Sequence, residues 1–286
     1  MDWNSYLQEY RNKKNFNPEA WISNKVQKFN EYLQKNNLTG AVLSVSGGVD
    51  SATTLALLKE TMKLENSNLK KIIALNQPIH SSDWALNRSK ELCDKFGIQL
   101  FVINQSDIHN QLVNQINDKI NTNSSKFADG QLRSYMRTPT NYYVAQLLSS
   151  QGYPSLVMGT GNMDEDGYLA YFCKAGDGVV DIQLISDLHK SEVFTVAKYM
   201  GVPESITNAA PSADLWDDQE DEKELGFTYD FIEFFTGYYL KLSEKEQIDF
   251  VNNLNDLSKK EFLEFKGLCE NIHNRNKHKL MGVINL

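Results

Sequence analysis

Ala41-Val42-Leu43-Ser44-Val45-Ser46-Gly47-Gly48-Val49-Asp50-Ser51 passes from an apolar run through two adjacent glycines into Ala52 to Met62, a stretch of helix formers. That order predicts a buried strand, a tight turn carrying hydroxyls and the start of a helix. Glycines let backbone N–H groups approach anionic oxygens, and a helix N-terminus adds a favourable dipole, so the segment reads as a phosphate cradle. Asp50 makes sense beside phosphates mainly as a ligand for magnesium. No Gly-Lys-Ser/Thr follows the glycines, which separates the loop from the P-loop kinase pattern. A plain strand–helix turn capped by serine would explain one or two of these residues. It does not explain the run from Ser46 to Ser51 as a whole.

Outward from this loop the same alternation continues. Ile22, Val26, Phe29 and Leu33 recur at helical spacing within residues 18–36. Lys71–Leu75, Leu100–Ile103, Ser155–Met158 and Asp181–Ile185 read as further strands, with a turn at Gln77-Pro78. Ser82–Phe96 reads as a helix closed by Gly97, and a polar amphipathic helix runs to about Ile120. Residues 121–134 are polar and contain glycine, which predicts a mobile loop, with a helix over Tyr142–Leu148 beyond it. Apolar strands alternating with helices predict an α/β fold with a doubly wound, mainly parallel five-stranded sheet, covered on both faces. Ligands of such sheets sit at the carboxyl ends of the strands, where the glycine loop lies. From Thr228 to residue 286 the chain reads as a helical C-terminal region of one domain spanning 1–286.

Composition narrows the function classes. At 286 residues with 41% hydrophobic residues the chain can bury a large core. No run approaches a membrane span, and Met1-Asp2-Trp3-Asn4 lacks the features of a signal peptide, so a cytoplasmic protein with no membrane partner is expected. Cys93, Cys173 and Cys269 are far apart and lack metal-ligand spacing, which fits reduced thiols. A formal charge of −8 argues against a nucleic-acid partner. Seven carboxylates crowd residues 214–224 around Lys223, as readily a solvated loop as part of the chemistry.

A second set of residues follows the fourth strand: Gly159-Thr160-Gly161-Asn162 with Glu165 just beyond, then Tyr171-Phe172-Cys173-Lys174-Ala175-Gly176-Asp177-Gly178-Val179-Val180-Asp181. Leu188-His189-Lys190, Pro211-Ser212-Ala213-Asp214-Leu215-Trp216 and a terminal His278-Lys279 come later. The glycine loop resembles the SGGxDS loop of ATP pyrophosphatases, which split ATP between the α and β phosphates and have an adenine nucleotide alpha hydrolase-like fold. The ordered set from Ala41 to Lys279 is similar to ammonia-dependent NAD synthetases, the Gly-Asp-Gly and PSADLW segments narrowing the match.

That resemblance implies ATP- and magnesium-dependent amidation of deamido-NAD with ammonia through an acyl-adenylate. It assigns Ser44, Val45, Ser46, Gly47, Gly48, Val49, Asp50, Ser51, Thr160, Lys190 and Ser212 to ATP, and Asp50 and Glu165 to magnesium. Lys174, Asp181, His278 and Lys279 go to deamido-NAD, with Arg137 favoured over Arg133 as a further contact. Asp177 is the residue expected to hold ammonium and assist its deprotonation, with Lys190 and Asp50 completing the catalytic set. Taken singly, the lysines read as surface residues, Asp181 as a strand-end cap and His278 as a solvated histidine. The resemblance also implies a homodimer. About forty residues precede the ATP loop, fewer than an amidase domain needs, so free ammonia or a separate glutaminase is expected to supply nitrogen.

The chain departs from the family pattern in three places. One residue is added between Glu165 and Tyr171, with Gly167 present; Cys173 and Ala175 flank the site lysine; and Arg133-Ser134-Tyr135-Met136-Arg137-Thr138-Pro139 stands where an Ala-Arg-x-Arg-Met segment is common. Cys173 has no activating base in any motif and reads as a wall residue. The alternatives are an NMN synthetase acting on nicotinate mononucleotide, another ATP pyrophosphatase, and an adenine-nucleotide sensor without catalysis. A tRNA thiolase would want a cysteine pair and a basic RNA surface, which the sequence lacks.

Overall fold

The structure is a computed structural model that describes residues 1–211, 221–283 and 285. Ser212 and most of the acidic run 214–224 therefore lie outside the described residues. Helices α1 (Trp3–Lys14) and α2 (Pro18–Lys35) lead into β1 (Gly40–Ser44), followed by α3 (Val49–Lys63) and β2 (Lys71–Asn76). Then come α4 (Asp83–Phe96), β3 (Leu100–Val102), α5 (Ser106–Ile120), α6 (Lys126–Ser150) and β4 (Ser155–Gly159). A π-helical turn (Met163–Tyr168), β5 (Ile182–Gln183), α7 (Lys190–Tyr199) and the short α8 (Glu204–Thr207) follow. Past the undescribed segment lie α9 (Asp221–Leu225), α10 (Tyr229–Gly237), α11 (Glu244–Asn253) and α12 (Asp256–Asn276).

The five strands form one all-parallel sheet in the order β3-β2-β1-β4-β5. Ala41 is level with Ile72 on one side and Leu156 on the other. Side chains alternate across the sheet with the two-residue period of a strand. Ala41, Leu43, Ala74 and Met158 face the large core that α2, α3 and α7 close, while Val42, Ile73, Leu75 and Val157 face Ala145 and Leu148 of α6. Both faces are thus buried, as the continuous apolar strands require. Strand order reverses between β1 and β4, which opens a crevice at their carboxyl ends.

Two expectations need correction. Residues 126–134 are helical, because Ser125 caps α6 by accepting from the Ala128 N–H and the helix continues through Pro139 to Ser150. Their polar composition reflects a face turned to the crevice: Ser134 is buried and bonded to Asp177. The strand expected over 181–185 shortens to Ile182–Gln183, since Asp181 instead uses its carboxylate to bind the Val157 N–H at 2.7 Å. The residue added near Gly167 is absorbed by the π-helical turn, where Gly167 leaves helical geometry.

A second core is rich in aromatics of the C-terminal helices: Phe231, Phe234, Phe235 and Phe262 are fully buried, and Phe231 and Phe234 pack against Trp3 of α1. Among the described residues no helix is long and apolar enough to cross a membrane.

Candidate active site

The glycine loop is held by its own hydroxyls. Ser51 Oγ donates to the Gly48 carbonyl at 3.0 Å and accepts from the Ser46 N–H at 3.2 Å. Gly47 has φ +86° and lies against the Ala85 carbonyl, which a Cβ would strike, so both the turn and the packing demand glycine there. Helix α3 begins at Val49, placing Asp50 in its first turn. Behind the loop, Gln77 Nε2 donates to Ser44 Oγ and Asn141 Oδ1, tying β1, the end of β2 and α6 together.

Three elements converge on the cradle. Asn162, after β4, donates its amide to Asp50 Oδ1 at 2.9 Å and accepts the N–H groups of Asp164 and Glu165. The π-helical turn carries Glu165, and α7 begins with Lys190. Lys190 Nζ lies 2.6 Å from Asp50 Oδ2 and 2.6 Å from Glu165 Oε1, with its side chain 4% exposed. Burial alone would lower the Lys190 ammonium; the two carboxylates outweigh it and hold the group well above its ordinary value. Tyr229, at the start of α10, donates to Glu165 at 2.7 Å, and Lys190 Nζ lies 5.0 Å from its ring centroid. Asp221 approaches the same hydroxyl at 3.2 Å, and its other oxygen is buried with no partner among the described residues. Burial and the charge of Glu165 push the Asp221 carboxyl up to about 6.

One cavity of about 280 Å³ runs along these groups. Ser44 to Ser51, Thr160, Glu165, Lys190, Arg137 and Asp177 all line it. Asp177 accepts the Cys173 N–H at 2.8 Å and the Ser134 hydroxyl at 3.2 Å. Surrounding protein pushes its carboxyl up against those two hydrogen bonds. Cys173 also lines the cavity, and burial raises its thiol to about 11, which disfavours the thiolate.

Lys174, Asp181, His278 and Lys279 do not line this cavity. Lys174 Nζ donates to the carbonyls of His278 and Met281, and Lys279 Nζ to those of Ala170 and Phe172, so these residues join the chain end to the segment before Asp177. Asp181 accepts the Val157 N–H in the middle of β4 and the Tyr142 hydroxyl. Sequence reading passed over Asn162, Tyr229 and Asp221 as site residues, and also Trp84, whose ring carries Arg88 at 4.4 Å on the cavity wall. Asn162 stood inside a motif already noted; Trp84 had no local signal at all.

A family model described as NAD synthase matches residues 21–281. The chain belongs to the NAD synthase family. Family members similar to it include the NH(3)-dependent NAD(+) synthetase of Mesoplasma florum, 35% identical over 232 residues, 81% of this chain and 90% of that one. That of Methanococcoides burtonii is 37% identical over 202 residues, 70% of this chain and 72% of that one. Among solved structures, an NMN synthetase from Francisella tularensis superposes with a TM-score of 0.76 at 28% identity, covering 95% of this chain and 99% of that one. The NH3-dependent NAD synthetase from Campylobacter jejuni gives 0.70 at 22% identity, over 95% of this chain and 100% of that one. The all-parallel sheet and its flanking helices are the fold of this family.

Proposed function

We propose that the chain joins ammonia to the nicotinate carboxylate of deamido-NAD, using ATP and releasing AMP and pyrophosphate. One observation carries the reading: a phosphate cradle and a buried Asp50–Lys190–Glu165 cluster share a cavity with Asp177. A carboxylate is a poor electrophile. Its attack on the α-phosphorus of ATP, with pyrophosphate leaving, gives an acyl-adenylate whose AMP then departs as ammonia attacks the acyl carbon. The cradle N–H groups and Lys190 would bind the phosphates, and Thr160 and Ser212 would complete the nucleotide site. Trp84 offers a flat apolar surface for the base.

Asp50 and Glu165 fit a magnesium ion, because two hard-oxygen donors already converge on one cationic centre, Lys190 Nζ. When bound, magnesium would neutralise charge around the phosphates. Asp177 would hold ammonium and take its proton, a role favoured by burial, which raises the proton affinity of its carboxyl. Arg137 lines the same cavity and would meet the pyridine substrate; Lys174, Asp181, His278 and Lys279 would contact it from a neighbouring surface. Exposed Ile108, Leu112, Ile116 and Ile120 form an i, i+4 stripe along α5, which supports a homodimer. Free ammonia would be the nitrogen source.

A second reading, amidation of nicotinate mononucleotide, is favoured by the 28% identity and TM-score of 0.76 to the Francisella NMN synthetase and by the departures at Arg133–Pro139 and Cys173. Both readings share the adenylation chemistry. Incubation with ATP, magnesium, ammonium and each acid substrate, with product identification and kcat/KM for each, separates them. The expected result is a preference for the dinucleotide with AMP and pyrophosphate formed; ADP and phosphate would overturn both.

A further inference from the structure

Asp164 is a carboxylate with no exposed surface, beside a site that already holds more acids than bases. Burying such a group is unfavourable unless every oxygen is bonded. Both oxygens are. Oδ1 accepts from His189 Nδ1 at 2.7 Å and Oδ2 accepts the backbone N–H of Lys190 at 2.7 Å. His189 is 1% exposed, and an ionised Asp164, which can only accept, requires the proton on His189 Nδ1. A second link runs parallel, from the Met163 N–H to the Leu188 carbonyl.

These bonds join two elements that carry opposite halves of the charged cluster. Asp164 sits next to Glu165 on the π-helical turn, while Lys190 is the first residue of α7. The N–H of a first helical residue has no partner inside its helix, and a carboxylate there also meets the positive end of the helix dipole. Lysine has a long flexible stem, so the position of Nζ depends on how firmly its backbone is held. We propose that Asp164, locked by His189, is a positioning residue that sets Lys190 Nζ between Asp50 and Glu165 for adenylation. This deepens the adenylation reading and rests on it.

The test pairs kinetics with a readout independent of catalysis. ATP–pyrophosphate exchange in the presence of the acid substrate reports adenylation. Acylation of Lys190 by an N-hydroxysuccinimide ester, followed by mass spectrometry, reports how firmly the ammonium is held. Asp164→Asn places an amide where two N–H donors point. It should lower the exchange rate ~10–100-fold, as expected for a misplaced catalytic group. Labelling of Lys190 should rise ~10-fold as local opening becomes easier. His189→Ala should do the same, whereas His189→Asn, whose Nδ2 can replace Nδ1 as donor, should restore most of the rate and the protection. Wild-type behaviour of Asp164→Asn in both readouts, or lost exchange with Lys190 still protected, overturns the proposal. If Asp164→Asn does not fold, the His189 pair decides, and equal effects of Ala and Asn overturn it. A wild type that forms no AMP, yet whose Lys190 is exposed by Asp164→Asn, would sink the adenylation reading and leave the positioning role standing.

Discussion

Asp50 and Glu165 share Lys190 but differ in their second partner, Asn162 for one and Tyr229 for the other, which makes the pair separable by experiment. Asp50→Asn removes the charge facing Lys190 and leaves one acceptor oxygen for Lys190 and Asn162 to share, whereas Glu165→Gln removes the charge but keeps an oxygen that can accept from both Lys190 and Tyr229. Each variant should cut turnover by about 100-fold or more and weaken Mn2+ binding, followed by electron paramagnetic resonance. Undiminished Mn2+ affinity in either variant would remove that residue from the metal site. Asp177 should behave differently, because it touches neither carboxylate of the cluster. Asp177→Asn is expected to leave ATP–pyrophosphate exchange within about threefold while amide formation falls roughly 100-fold, the scale of a general base. A parallel fall in both steps would place Asp177 in adenylation instead. At this scale the glycine loop and the Thr160 strand end were legible from local pattern, whereas Lys190 was singled out only by the family resemblance. Trp84 and Tyr229 were not legible, because Trp84 reaches the cavity and Tyr229 reaches Glu165 from segments without a motif of their own.

Helix α1 went unread because only Trp3 and Leu7 of its twelve residues are buried, too few to show a periodic stripe. Its polar side chains are nonetheless engaged. Arg11 pairs with Glu233 and Asp230 of α10 at 2.5 Å each, and Lys14 pairs with Glu192 of α7 at 2.6 Å. Glu233 also accepts from Ser191, one residue after Lys190. Burial pushes Glu233 up, but hydrogen bonds from Arg11 and Ser191 outweigh it and hold the carboxyl below its ordinary value. Arg11→Met strands a Glu233 side chain that is 2% exposed, so the loss at pH 7 should be on the order of 3 kcal/mol. A depressed carboxylate contributes stability above its unfolded pKa and loses it as pH falls through the folded value. The gap between wild type and Arg11→Met in urea denaturation should therefore narrow below about pH 4.5. A gap that persists unchanged at pH 3 would show that packing, not the ion pair, carries the effect. Helix α6 teaches the converse. Its first turns look like a loop by composition, and only contact with the 173–177 turn shows why polar residues belong on that face.

For the whole molecule, the exposed stripe on α5 is the test of assembly. Ile108, Leu112, Ile116 and Ile120, on one side of α5, are 37% to 65% exposed. Static light scattering should report twice the 32.6 kDa chain mass for the wild type. Ile116→Arg should shift the population towards monomer and raise KM for the acid substrate more than it lowers the exchange rate at saturating ATP. A fully active wild-type monomer would exclude the dimer from the site.

The sequence alone determined the parallel α/β sheet and the glycine loop, because strand burial and turn residues are local patterns, and it reached the family through the resemblance of its ordered motifs. Through the family resemblance it also picked out Asp50, Glu165 and Lys190 as candidate site residues. It did not determine how they meet. Asp50, Glu165 and Lys190 are joined within 2.6 Å only because the sheet reverses order between β1 and β4 and brings α3, the π-helical turn and α7 to one edge. The buried Asp164–His189 pair shows the same division: two ordinary residues in the chain, made inseparable by the cost of leaving a charge unbonded in the core.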